Sequence, residues 1–239
     1  MNESWYRPNW PVPTGVQAVM TVREGGNGLP PFDGFNLGDH VGDDPVTVAA
    51  HRDALARALG VRPVYLQQVH GTEVVHLDEH TPAGAPLQGD AAITTTPGVA
   101  CTILVADCLP VLLADRQGRG VGAAHAGWRG LAGGVLERTV EALVRALDAS
   151  PADLVAWLGP CIGPRRFEVG EEVRQAFLAG QPGAGAHFKP GERPGKWLAD
   201  LQGLARDRLN ECGVGDVSVE PACTVEEASR FFSFRRDGR

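Results

Sequence analysis

Three short polar segments break otherwise apolar runs, and between them they carry the residues best suited to chemistry. In Gln67-Gln68-Val69-His70-Gly71 a polar pair, an imidazole and a glycine close an apolar run. In Ala106-Asp107-Cys108-Leu109-Pro110 a carboxylate and a thiol separate two apolar runs. The third, His125-Ala126-Gly127-Trp128-Arg129-Gly130, lies between a run ending at Ala124 and a helical pattern that begins near Leu131. One cysteine and two histidines from separate strand ends resemble a catalytic zinc set, in which three protein ligands leave a fourth position for water or substrate. Water bound to zinc there would approach a pKa of about 7 and become a nucleophile at neutral pH. The separations from His70 to Cys108 and from Cys108 to His125, 38 and 17 residues, match no structural zinc spacing, so only the fold could assemble such a site.

The same residues allow a metal-free arrangement: Cys108 as nucleophile, His125 as its base, and His70 or Asp107 as orienter. A blue-copper site also draws on two His and one Cys, but Met1 and Met20 are the only methionines from which an axial ligand could come. Against all three stands the structural reading, a buried thiol acting as a small hydrophobe and two core histidines with satisfied nitrogens. Asp107 is placed to carry a proton or to orient a histidine ligand.

The Gly127-Trp128-Arg129-Gly130 turn, with Gly133 and Gly134 beyond it, could hold an anion. Small residues admit a ligand to backbone N–H groups, and the Arg129 fork matches phosphate. Its plain alternative is a tight turn whose arginine pairs with a nearby carboxylate. Arg23 and Asn36, from glycine-rich loops, and Gln68 are the further candidates for substrate binding. Phe231 to Arg236 alternates enough for a late strand with a basic end, whereas Cys161 sits in a rigid turn and reads as packing.

Positioning these segments requires strands and helices that end where they begin. Val16–Val22, Val64–Val69, Cys101–Val105, Val111–Ala114, Val121–Ala124, Leu154–Leu158 and Val217–Val219 read as strands, mostly buried because few alternate cleanly. A helix is expected from the Asp44-Pro45 start to Leu59, stopped by Gly60. Leu131, Val135, Leu136, Val140, Leu143, Val144 and Leu147 form an apolar helical stripe, and Leu198 to Leu209 repeat the pattern before Gly213. The mixture implies an α/β sandwich, its three chemical segments at strand ends, where open α/β sheets bind ligands.

Composition sets the outer bounds. Of 239 residues, 43% are apolar and 21% charged, and no apolar run reaches the length of a membrane span. A net charge of −7 argues against nucleic acid and anionic membrane as partners. The first residues show no basic segment followed by an apolar one, and five Cys at wide spacings suit reduced thiols, so the expected compartment is the cytoplasm. The 31 Gly and 18 Pro concentrate in Asn27–Pro45, Thr81–Gly89 and Gly180–Gly195 without forming a linker, which points to a single domain over residues 1–239.

Several blocks together carry a family resemblance: QQVHG at 67–71, ADCLPVLLAD at 106–115, AAHAGWRGLAGGVLE at 123–137, AWLGPCIGP at 156–164, FEVG at 167–170, GKWLADL at 195–201 and RFFSFRRDG at 230–238. From about Met20 onward the chain resembles the YfiH family, also called the laccase-domain or polyphenol oxidase family, whose bacterial members are named purine nucleoside phosphorylases. The resemblance implies one α/β domain similar to the catalytic domain of cytotoxic necrotising factor. It also implies a zinc ion, with copper as the alternative, held by His70, Cys108 and His125. The implied activities are phosphorolysis of adenosine, inosine and methylthioadenosine and deamination of adenosine; on the reading of the residues above, the catalytic candidates are Cys108, His125 and Asp107. Implied partners are a purine nucleoside and phosphate, and the chain is expected as a monomer or weak homo-oligomer. Other family labels leave a copper polyphenol oxidase and a cysteine hydrolase editing peptidoglycan precursors as rivals, beside a binding protein whose metal only braces its loops. The family's Ala-Asp-Ala block reads Gly89-Asp90-Ala91 here, keeping the acid, and the family usually adds one more apolar strand after the block that ends this chain.

Overall fold

The computed structural model describes residues 5–82 and 87–238. Its centre is a six-stranded mixed sheet of β2 (Val74–Leu77), β4 (Ala91–Thr94), β6 (Leu109–Asp115), β7 (Val121–Ala126), β8 (Leu154–Leu158) and β12 (Asp216–Val219), in the order β12-β8-β6-β7-β4-β2. The four inner strands are antiparallel to one another, and the two edge strands join them parallel. Buried almost throughout, β6 and β8 read as continuous apolar runs because both faces of the sheet are covered.

Alternation along β4 shows what covers each face. Ala91 and Ile93 join the cluster containing Leu136, Val140 and Leu143 of α3 (Val135–Leu147) and Leu204 and Leu209 of α5 (Leu201–Glu211). Ala92 points the other way, to Val64 and Leu66 of β1 (Arg62–Gln67). That strand is the middle of a second, parallel sheet with β3 (Leu87–Gln88) and β5 (Val99–Thr102). The architecture is therefore helices, central sheet and small sheet in layers, the mixed α/β class expected. A third small sheet, β9 (Glu168–Gly170), β10 (Phe188–Pro190) and β11 (Lys196–Ala199), flanks α4 (Glu171–Gly180). Separately, α1 (Pro45–Leu59) buries Leu55 against Trp5, Phe35, Leu37 and Phe231.

The start of α1 is as expected, Asp44 accepting from the Thr47 amide at 2.9 Å, and Gly60 ends it. Four expectations need correction. Among the described residues Val16–Val22 forms no strand; only Met20 pairs there, in a single bridge with Tyr6. The stripe from Leu131 is two helices, α2 (Trp128–Gly133) and α3, because Gly134 turns left-handed at φ 97° and breaks the run. Leu198 belongs to β11, not to the following helix, which starts behind the Asp200 cap. Phe231–Arg236 is no strand either: Ser233 caps α6 (Phe234–Asp237), since this segment's donors are spent on Asp107, not on a neighbouring strand. The Thr81–Gly89 loop lies partly outside the described residues.

Candidate metal centre

Sheet register brings two of the chemical segments together. Leu109 pairs with Ala126 and Pro110 with His125 across β6 and β7, so one step further Cys108 faces Gly127. Opposed residues of an antiparallel pair share a face, as do positions two apart on one strand, so the Cys108 and His125 side chains project on the same side. His70 comes from the loop after β1 and adopts φ 60°, a left-handed conformation uncommon for any residue with a side chain. One ligand atom from each of His70, Cys108 and His125 lies within 4.8 Å of the other two. The Cys108 Sγ is 3.8 Å from His70 Nε2, and the two imidazoles meet edge to face with centroids 4.8 Å apart.

This donor set suits a cation. Metal–ligand bonds of about 2.0–2.3 Å around one zinc ion separate neighbouring donors by roughly 3.3–3.8 Å, which is the Cys108–His70 spacing. The space at the centre is preserved by a missing side chain: a Cβ on Gly127 would stand 2.9 Å from His70 Cδ2 and 3.0 Å from Cys108 Sγ. Gly130 is small for a related reason, because a Cβ there would stand 2.7 Å from the Gly71 carbonyl and lift α2 off the His70 loop. Zinc would be held by His70, Cys108 and His125, with a fourth position open because His70 is exposed while His125 is buried.

The protonation pattern follows from the surroundings. His125 Nδ1 is 2.8 Å from the Asp90 carboxylate, which as an ion can only accept, so Nδ1 carries the proton and Nε2 is left for a cation. Burial alone would raise the Asp90 pKa, but the His125 ring and the Gly71 and Val69 amides together hold it below the ordinary value. Burial, then the neighbouring His125 ring, lowers His70. Burial, with the Asp107 and Asp90 charges adding to it, pushes the Cys108 thiol up to about 12. In the metal-free protein Cys108 is therefore a thiol.

Residues 17–239 match the family described as multi-copper polyphenol oxidoreductase laccase. A Pseudomonas aeruginosa protein named purine nucleoside phosphorylase is 49% identical over 99% of this chain and 94% of its own length. The Escherichia coli purine nucleoside phosphorylase YfiH is 47% identical, over 96% and 92%. Among solved structures, a Neisseria meningitidis protein at 43% identity superposes with a TM-score of 0.92 over 99% of this chain and 95% of its own. A Bacillus licheniformis protein titled hypothetical protein YfiH gives 0.87 at 30% identity, over 93% and 88%. The chain belongs to the YfiH, or laccase-domain, family.

In this YfiH-family chain the remaining candidates fall into two groups. Arg129 is exposed at the centre's edge, close enough for its charge to bear on His70. Its guanidinium lies 4.4 Å over the Trp128 ring, and among the described residues it has no carboxylate partner. The plain alternative of a paired arginine is thus not what the turn contains. Arg23 is engaged, bonded to Asp33 at 2.6 Å and lying over Phe232. Gln68 clamps the Leu104 backbone through both its amide atoms, each at 2.8 Å. Asn36 spends its amide on Gly38 and Asp43. Asp107 bonds Thr224, Ser233 and the Arg235 amide, and among the described residues no hydrogen bond joins it to either histidine. Cys161 is buried beside Cys223, packing as expected.

The sequence assigns no role to Asp90, yet its carboxylate bonds both the His125 ring and the His70 amide. The available signal is a lone carboxylate directly ahead of the apolar Ala91-Ala92-Ile93 run of β4. No helix among the described residues is long and apolar enough to cross a membrane.

Proposed function

We propose that this protein is a single-domain, zinc-dependent purine nucleoside phosphorylase whose metal is held by His70, Cys108 and His125. The observation that carries the reading is the convergence of these three donors around a space that Gly127 keeps open. The names of the relatives supply the reaction class. In phosphorolysis an oxygen of inorganic phosphate forms a bond to C1′ of the ribose while the bond from C1′ to the purine nitrogen breaks. The products are ribose 1-phosphate and the free base. Zinc would supply a Lewis acid for an electronegative atom of the bound reactants. Arg129, unpaired and beside the centre, is assigned to the phosphate, since a planar guanidinium binds two phosphate oxygens at once. Asp107 is too fully engaged with the C-terminal segment to move a proton, so the base's proton is assigned to solvent or substrate.

Adenosine, inosine and methylthioadenosine are the substrates proposed. Deamination of adenosine, if present, has to run on this same triad, because the H-x-E and P-C-x-x-C signature of zinc deaminases is absent. A multi-copper oxidase needs several histidine-rich sites. Among the described residues His70, Cys108 and His125 are the one such donor group, His51 is bonded to Asn27 and Asn36, and His187 to Asp207. A cysteine hydrolase needs a thiolate, and the surroundings of Cys108 oppose one. The deciding assay incubates purified protein with each nucleoside and phosphate, before and after chelation and zinc return. Ribose 1-phosphate that disappears with the metal and comes back with it supports the reading. No ribose 1-phosphate in any arm overturns it.

A further inference from the structure

Asp90 is fully buried and accepts four hydrogen bonds. Oδ1 takes the His125 ring at 2.8 Å and the His70 amide at 2.8 Å; Oδ2 takes the Gly71 amide at 2.7 Å and the Val69 amide at 3.1 Å. Its main chain reaches the same strand, the Asp90 carbonyl accepting from the His125 amide at 2.7 Å. Ala91 pairs with Ala124 across β4 and β7, so Asp90 stands opposite His125 by register. One carboxylate thus touches both histidine ligands, one through its ring and the other through its backbone. The three amides it binds span the left-handed turn at His70, and a conformation so sparsely populated persists only where surrounding bonds over-determine it.

We propose that Asp90 is the positioning residue of the metal centre: it fixes the His125 ring with its proton on Nδ1 and holds the His70 turn in the conformation that aims its imidazole at Cys108. The proposal rests on the metal reading above for its consequence, but the tautomer and the turn are properties of the chain without metal. Charge and shape both matter at this position. Three backbone amides and one ring N–H, all donors, converge on two oxygens. Replacing one oxygen by NH₂, as in Asp90→Asn, forces that amide to meet a donor. The backbone amides cannot change their character, whereas an imidazole can. The His125 proton is therefore driven to Nε2, leaving Nδ1 to accept from the new amide and removing Nε2 as a ligand.

The test uses the full chain, wild type and Asp90→Asn, freed of metal and held at a pH where His125 is neutral. Long-range ¹H–¹⁵N correlation spectra of the imidazoles report the tautomer, and competition against a chromophoric chelator reports zinc affinity. Wild type is expected to carry the His125 proton on Nδ1 and the variant to carry it on Nε2. Zinc affinity should fall in the variant by about 10- to 100-fold, the usual cost of losing a ligand's orienting partner. A purely structural role for Asp90 would lower Tm and leave the tautomer of the folded fraction alone. An Nε2 proton in wild type, or a variant with wild-type tautomer and affinity, overturns the proposal. Should the variant not fold, the wild-type spectrum alone still decides the tautomer. A wild type that binds no zinc while showing the Nδ1 proton sinks the metal reading and leaves the positioning of His125 standing.

Discussion

Asp90 and Asp107 are both buried carboxylates that accept several hydrogen bonds next to a ligand loop, yet the two flanks of the centre are built differently. Asp90 binds the proposed ligands themselves, the ring of His125 and the backbone of His70. Asp107 adjoins Cys108 in sequence, and its φ of 86° places it, like His70, in left-handed backbone. Its bonds nevertheless run away from the centre, to Thr224, Ser233 and Arg235, which are 117 to 128 residues distant along the chain. Adjacency in sequence to a ligand thus does not make a residue an orienter of that ligand. One carboxylate sets donor geometry locally; the other ties the Cys108 turn to the C-terminal segment and so belongs to the stability of the whole.

Removing a ligand abolishes the difference between the flanks and gives the largest effect. Cys108→Ala leaves two imidazoles, and zinc content after gel filtration should fall from about one ion per chain towards none, because two neutral donors rarely hold the ion alone. Phosphorolysis should be lost with it while the circular dichroism spectrum persists. Full zinc content in this variant would mean that the centre lies elsewhere. A smaller effect is expected from Gly127→Ala, which touches both flanks at once. The backbone there, φ −61° and ψ 154°, accepts alanine, so the cost is purely steric: the new methyl meets His70 and Cys108 together. Overpacking of this kind costs roughly 1–3 kcal/mol. It should be read as weaker zinc binding in chelator competition with little change in the Tm of the metal-free chain; equal affinity would show that the triad has room to spare.

The contrast also explains what the sequence made visible. His70, Cys108 and His125 stood out because each interrupts or closes an apolar run, and strand ends are where a buried sheet can show polar groups. The fold class followed from the same runs, since strands covered on both faces need continuous apolar residues. Asp90 also opens an apolar run, Ala91-Ala92-Ile93, but its importance lies in a cross-strand pairing with His125, 35 residues away, and register is not written in either strand alone. Asp107 drew notice by lying beside Cys108, but its partners are long-range. The Phe231–Arg236 segment alternates like a strand and becomes a cap and a short helix because Asp107 takes the Ser233 hydroxyl and the Arg235 amide. Val16–Val22 has strand composition but, among the described residues, a single bridge partner, so propensity finds no neighbouring strand to pair with.

Asp107→Asn tests the second flank directly. Asparagine tolerates left-handed backbone, so the substitution keeps the turn and exchanges one acceptor for a donor facing two hydroxyls and an amide. A buried donor left unpaired costs about 1–3 kcal/mol, so Tm should drop by several degrees. The His125 tautomer should not move, and zinc affinity should change less than in Asp90→Asn. A larger loss of zinc than from Asp90→Asn would reverse the assignment of the two carboxylates.

Asp115 supplies the control, a buried carboxylate hub with no ligand attached. It ends β6 and accepts from the Arg119 guanidinium at 2.8 and 2.9 Å and from the Gln117 and Arg119 amides at 3.1 Å. The Arg119 hydrogen bond leads the causes that hold its pKa below the ordinary value. A carboxyl depressed by folding contributes stability above its unfolded pKa, about 3.9, and loses it as the pH falls through the lower folded value. Asp115→Asn carries no such titration. Wild type should therefore be the more stable at neutral pH, by an amount that shrinks steadily once the pH drops below about 3.9. Zinc affinity should be the same in both proteins. Urea unfolding across a pH series, paired with chelator competition at pH 7, separates the two readouts. A loss of zinc in Asp115→Asn would show that any buried carboxylate on this sheet supports the centre through general stability, and the special place given to Asp90 would fall.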